Sequence, residues 1–230
     1  MLDKGFSQNL FSNALQESKT SQLKIAALIG GGGRLKAIES GTRQADSRAE
    51  LALVVSFKRH SVGLEWARER GIPSQYLRWP HWKAQGKSRE EFDAALADLL
   101  HEHQIELVVL AGWGLMLSPT FLAQFPERII NVHPALLTDT QASTVALADG
   151  RQIPVFRGNY ALEEAWAAEV PVTGCTVHYV TSEMDAGPVI LQREVPRLPT
   201  DTLSTLSERV HAAEDELLPQ SIEIACQRLL

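Results

Sequence analysis

Residues 23–30 read LKIAALIG, a short and nearly continuous apolar run. Such a run fits a strand covered on both faces of a parallel sheet. Three more follow: ELALVVSF at 50–57, ELVVLAGW at 106–113 and RIINVHP at 128–134. Helical signals separate them. RLKAIESG at 34–41 follows the first run, and SVGLEWARERG at 61–71 has Ser61 to start a helix and Gly71 to end it. SREEFDAALADLLHEHQ at 88–104 is the clearest helix. Ser88 and Glu91 make a capping box, and Phe92, Ala95, Leu96, Leu99 and Leu100 form one apolar stripe. Strand and helix alternate as far as Pro134, which predicts a doubly wound α/β sheet, mostly parallel, with right-handed crossovers.

Beyond that point the rhythm changes. TGCTVHYV at 173–180 and GPVILQREV at 187–195 are strand-like and are joined by TSEMDA with no helix between them. They predict an antiparallel C-terminal edge on the same sheet. A helical tail begins near Asp201 with Leu203, Leu206 and Val210 inward, and Pro219 is expected to kink or divide it. Residues 1–22 are mostly polar, with Phe6, Leu10, Phe11, Ala14 and Leu15 at near-helical spacing. This stretch lacks the apolar core of a secretory signal and is read as an appended arm. The expected organisation is an arm over 1–22 and one helix-flanked domain over 23–230.

Composition narrows the class. The 230 residues are 44% hydrophobic and 22% charged, as in an ordinary globular chain. A net charge of −6 argues against a nucleic-acid or anionic membrane surface. No apolar stretch approaches the ~20 residues of a membrane span, and a cytoplasmic protein is expected. Cys175 and Cys226 are far apart and form no metal-spaced pair, so two reduced, buried thiols are expected.

Several positions carry candidate chemistry. Gly30, Gly31, Gly32 and Gly33 lie at the first strand-to-helix junction, where backbone N–H groups can approach an anion, and Arg34 adds a cation. The spacing is neither the dinucleotide fingerprint nor a Walker loop. Asn131 and His133 are two apart on a strand and so share a face near its carboxyl end, where ligands of such sheets bind. An amide donor beside an imidazole suits stabilising an oxyanion and moving a proton. Asp185 precedes a rigid Ala-Gly-Pro turn. It either bonds its own backbone or aims its carboxylate at His133 and favours the protonated ring. Thr176 and His178 share a strand face; Thr176 reads as a positioning hydroxyl, and His178 as either structural or functional. The acids of EEAWAAE at 163–169 read as a solvated helix face. No His, Cys or carboxylate grouping has metal-ligand spacing, and no serine nucleophile elbow is present.

INVHPALL, TGCTVHYVTSEMDAGPVILQ and AGWGLMLS, in that setting, resemble the phosphoribosylglycinamide formyltransferases of purine synthesis, from about Leu23 to the C-terminus. The Asn-x-His-Pro and Asp-x-Gly-Pro-Val-Ile segments belong to the wider folate-dependent formyltransferase group, a variant of the Rossmann architecture. The resemblance implies a catalytic trio of Asn131, His133 and Asp185. It implies 10-formyltetrahydrofolate as co-substrate, with no metal, in a cleft bordered by Gly114, Leu115, Met116, Leu117 and Asp185. It places the phosphate of glycinamide ribonucleotide on Gly30–Gly33 with Arg34, and gives Glu214 and Thr176 contacts to that substrate. The partners implied are small molecules, and the enzyme is expected to be a monomer or homodimer.

Three departures stand against that pattern. The glycine turn reads GGGGRL where the family has Ser-Gly-x-Gly-Ser/Thr-Asn. Leu115 stands where the family has an arginine, so the folate tail is held differently. An insertion at about 138–155, TDTQASTVALADGRQIPV, carries Asp149-Gly150 as a hairpin turn and is expected as a flap beside the site. Two alternatives stay open: a related enzyme formylating another amine, such as a sugar nucleotide, or hydrolysing formyltetrahydrofolate, which the altered turn favours; and a non-catalytic binding module, against which the intact trio counts.

Overall fold

The computed structural model describes residues 22–230, so the expected N-terminal arm lies almost wholly outside the described residues. The frame is a seven-stranded sheet of β1 (Leu23–Ile29), β2 (Ala49–Ser56), β3 (Ser74–Tyr76), β4 (Leu107–Ala111), β5 (Ile129–His133), β8 (Val172–Tyr179) and β9 (Val189–Pro196), in the spatial order β3-β2-β1-β4-β5-β8-β9. The first five are parallel, and β8 runs antiparallel to both β5 and β9. This is the expected doubly wound sheet with its antiparallel edge.

Two apolar layers cover it. On one face Ile25, Ala27, Val109, Ile130 and Val132 pack against α1 (Leu35–Thr42), α2 (Val62–Glu69) and the long α7 (Leu203–Leu229). On the other, Ala26, Leu28, Val108 and Leu110 pack against α4 (Arg89–Glu102) and α5 (Pro119–Leu122). The Ser88–Glu91 capping box starts α4 as its sequence predicts. Ser61 sits at the N-cap of α2 but makes no capping bond; its hydroxyl donates to the Gly31 carbonyl instead. Short α3 (Trp79–Ala84) buries no residue fully, and its Trp79 and Trp82 lie edge-on to Phe92.

Pro219 does not divide α7, which runs unbroken for 27 residues. Its missing N–H leaves the carbonyl one turn earlier, at Asp215, without a helical donor. The ring packs against α1, where a Cβ on Gly41 would lie 2.7 Å from Pro219 Cβ. The acidic segment at 163–169 overlaps α6 (Ala161–Ala167), whose Ala161, Leu162 and Ala165 are buried while its acids face out.

The insertion does form a hairpin, β6 (Thr144–Ala146) against β7 (Gln152–Pro154), with Gly150 at φ +86° in its turn. None of its residues lines the cleft described below, but residues 139–142 lie beside it, with Gln141 donating to Glu183 and the Thr140 and Ala142 carbonyls accepting from Arg157. Val145, Leu147 and Ile153 bury against Leu136 and Val172, and Ala148 N–H donates to Glu194, which lays the hairpin on the antiparallel edge. Cys175 and Cys226 are free and buried, and burial pushes both thiols up to about 12, so they remain thiols at neutral pH. Among the described residues no helix is long and apolar enough to cross a membrane.

Candidate active site

The order of strands reverses between β1 and β4, and the loops leaving their carboxyl ends meet there. A Cβ on Gly30 would lie 2.6 Å from the Gly112 carbonyl oxygen, so glycine alone permits that approach. Crevices of this kind, at a switch point, are where open α/β sheets bind ligands. Here the crevice opens into a cleft of about 590 Å³, within the range of small-molecule sites. Gly114, Leu115, Met116 and Leu117 form one wall, Asn159 and Tyr160 another, and Thr181, Glu183, Met184 and Asp185 close it. Asn131, His133 and His178 are at its floor. The Leu115 wall is pinned from α4: the buried Asp93 carboxylate accepts from Ser118 N–H at 2.7 Å and from Arg89 Nε at 2.9 Å, and Arg89 also donates to the Met116 carbonyl.

Alternation along β5 puts Ile130 and Val132 into one core and turns Asn131 and His133 to the cleft. The antiparallel register sets Asn131 beside His178 on β8. Asp185 arrives from the β8–β9 turn with its backbone in the left-handed region, φ +50°, which Asp tolerates better than most residues. That turn is tight: a Cβ on Gly187 would fall 1.8 Å from the Tyr179 carbonyl oxygen. The result brings the three expected residues together with a fourth. Asp185 Oδ2 is 3.6 Å from His133 Nδ1, and Oδ1 is 3.6 Å from His178 Nε2. Gly158 N–H donates to the same carboxylate at 2.7 Å.

Protons follow from the fixed partners. A backbone carbonyl only accepts, so His178 Nδ1 donates to Tyr179 O at 2.9 Å. In the neutral ring Nε2 is then an acceptor, and Asn131 Nδ2 donates to it at 3.2 Å. One amide hydrogen of Asn131 is thereby used and the other is left for the cleft. By the same reasoning His133 Nε2 donates to Phe156 O at 2.9 Å, leaving Nδ1 toward Asp185. Burial pulls the His133 pKa below its ordinary value, and this outweighs the opposing pull of Asp185 and the Phe156 carbonyl. His178 is lowered too, first by burial, against the Tyr179 bond and Asp185. Burial, which leaves the ring only 4% exposed, thus works against the expected imidazolium at His133 and favours the neutral ring.

Thr176 does not reach the cleft as a substrate contact would. It is fully buried, donates to Ala135 O at 2.8 Å, and accepts from Leu137 N–H and Gln192 Nε2. With its hydroxyl saturated inside the protein it shapes the loop after β5 and has no free group for a substrate.

At the other end of the crevice, a Cβ added to Gly31 or Gly33 would meet nothing within 4 Å, whereas Gly32, at φ +98°, abuts Gly63. Gly63 N–H donates to the Gly31 carbonyl. Arg34 does not extend over this turn. Its Nη1 donates to Glu214 Oε2 at 2.7 Å and to His211 O at 3.2 Å, and its Nε lies 2.8 Å from Asp215 Oδ1. Burial raises the pKa of Glu214 and Asp215, with Arg34 opposing in both cases. Among the described residues no group of three or more His, Cys, Asp or Glu is placed to hold a metal ion.

Comparison with known proteins fits this geometry. Residues 23–222 match the formyl transferase family model. The chain is 37% identical over 202 residues to the trifunctional purine biosynthetic protein adenosine-3 of Homo sapiens, covering 87% of this chain but 18% of that protein. It thus spans about a fifth of such relatives. It is 35% identical to the phosphoribosylglycinamide formyltransferase of Schizosaccharomyces pombe, over 86% of this chain and 94% of that one. The crystal structure of glycinamide ribonucleotide transformylase 1 from Symbiobacterium toebii superposes with a TM-score of 0.78 at 35% identity, covering 90% of this chain and 89% of the other.

Proposed function

The chain belongs to the formyl transferase family, and from that premise we propose that it transfers the formyl group of 10-formyltetrahydrofolate to the primary amine of glycinamide ribonucleotide, a step of purine synthesis. The observation that carries this reading is the meeting of Asn131, His133 and Asp185 at the floor of a cleft with an apolar wall. The pterin takes the cleft between Gly114–Leu117 and Asp185, and the nucleotide phosphate takes the backbone N–H groups of the Gly30–Gly33 turn.

The chemistry follows from the proton positions. The neutral amine attacks the formyl carbon, and a C–N bond forms as the carbonyl π pair moves to oxygen. The free amide hydrogen of Asn131 faces that growing charge, and such a donor contributes about 100- to 1,000-fold in rate. The amine nitrogen, now cationic, loses a proton to His133 Nδ1, the nitrogen left without one. Asp185 stabilises the imidazolium so formed. The proton then passes to N10 of the folate as the oxyanion pair re-forms the carbonyl and the C–N10 bond breaks, its electron pair leaving with N10. No covalent enzyme intermediate is required. The enzyme acts on small molecules only, needs no metal, and works in the cytoplasm as a monomer or homodimer.

A second reading, formylation of another amine such as a sugar nucleotide, draws support from the ion-paired state of Arg34. One assay separates them. Purified protein with 10-formyltetrahydrofolate and glycinamide ribonucleotide should give the formylated nucleotide and tetrahydrofolate in equal amounts. Turnover of the folate without the nucleotide would instead indicate a hydrolase, and turnover only with a different amine would support the second reading.

A further inference from the structure

Arg34 is tied to α7 by three contacts, two of them to carboxylates, and its side chain is 15% exposed. The Nε–Asp215 contact is a charge contact too poorly aligned to be a hydrogen bond, whereas the Nη1–Glu214 bond is well formed. Glu214 is 5% exposed, and its second oxygen, Oε1, has no hydrogen-bond partner among the described residues. A buried carboxylate with one oxygen fixed by a guanidinium and the other unused is an oriented acceptor. It suits neutral donors, such as the hydroxyls of a sugar. The local sum of charges, one cation against two carboxylates, does not suit a dianionic phosphate.

We infer that Arg34 is a positioning residue, which holds and aims the Glu214 carboxylate toward the sugar hydroxyls of the nucleotide acceptor and does not itself bind the phosphate. This rests on the acceptor being a nucleotide, as proposed above, and on the contact to it that the family resemblance gives Glu214. The phosphate is then left to the backbone of the glycine turn. Without the guanidinium, burial would favour the protonated carboxyl of Glu214, which donates where it should accept. The other ionisable groups around this pair are Asp215 and His211 on α7 and the Cys175 thiol on β8.

The test compares glycinamide ribonucleotide with its dephosphorylated ribonucleoside in the intact enzyme, using Arg34→Ala, Arg34→Lys, Glu214→Gln and the double variant R34A/E214Q. Arg34→Ala should lower kcat/KM for both acceptors by the same factor, roughly 10- to 100-fold, and leave the KM for folate unchanged. The double variant should lose no more than the worse single variant. Acceptor KM in Arg34→Ala should climb as pH falls from 8 to 6, and Arg34→Lys should suppress that climb by restoring the charge. A loss confined to the phosphorylated acceptor, or losses that multiply in the double variant, would overturn the inference while leaving the proposed function standing. Should Arg34→Ala fail to fold, Arg34→Lys decides by the same criterion: an equal loss on both acceptors supports the inference, and a loss on the nucleotide alone overturns it. Failure of the unaltered enzyme to formylate either acceptor would overturn the acceptor assignment itself.

Discussion

The carboxyl ends of β5 and β1 belong to one sheet, yet their polar groups are held in opposite ways. At the end of β5, Asn131, His133 and His178 are fixed by neutral donors and acceptors, and burial lowers the pKa of both imidazoles against the pull of Asp185. At the end of β1, Arg34, Glu214 and Asp215 are fixed by opposed full charges. Direction is what the first region provides: each ring nitrogen has a determined role because a backbone carbonyl occupies its partner. The second provides a charge balance, tuned by what is withheld from solvent. The region proposed to move protons and the region proposed to recognise a ligand thus differ in kind while sharing a scaffold.

The sharpest way to break this contrast is Asn131→Ala. It removes the amide hydrogen facing the cleft, so kcat should fall about 100- to 1,000-fold with little change in either KM. Steady-state kinetics decide it, since a change confined to KM would make the β5 end a binding region after all. Next is Gly187→Ala, whose Cβ would meet the Tyr179 carbonyl oxygen at 1.8 Å. Unfolding in denaturant should show a loss of about 3 kcal/mol, as the turn that presents Asp185 has no room to yield.

A smaller effect sharpens the electrostatic half. His133 and His178 have pKa values below the ordinary 6.5, so as pH falls through 6.5 the unfolded chain takes up protons that the folded chain refuses. Stability is therefore flat above that pH and declines below it. Raised Glu214 and Asp215 act with the opposite sign, adding stability as pH falls from their raised values toward the ordinary 4.5 and 3.8. Melting curves between pH 7.5 and 5.5 should show an acid decline that is shallower in His178→Gln. An unchanged slope would mean that burial of this ring is not what keeps it neutral. Smallest of all is Gly33→Ala, where a Cβ meets nothing within 4 Å. Stability should move by no more than about 0.5 kcal/mol.

Much of this is legible in the chain itself. Period-two alternation places Asn131 and His133 on one face, and the loss of the helical rhythm after Pro134 announces the antiparallel edge. The Asp149-Gly150 pair marks its hairpin correctly, but not where the hairpin lands, because its apolar partners Leu136 and Val172 lie outside it. His178 cannot be separated from a structural histidine by sequence, since its meaning depends on cross-strand register with Asn131. Thr176 misleads for the same reason: only the fold shows which neighbours consume its hydroxyl. Helix α3 gives no signal, as Trp79-Pro80-His81-Trp82 has no apolar period. The state of Arg34 is invisible because its partner Glu214 stands 180 positions further along the chain.

The seat of Pro219 on Gly41 has a consequence for the β1 end of the crevice. Arg34 caps the start of one helix and Glu214 rides on the other, so that remote contact works as a spacer block for the gap between them. Any side chain inserted at 41 would act as a shim, prying cation and carboxylate apart without touching either. The acceptor recognition proposed above would thus be set from the back of the helix pair as well as from its front.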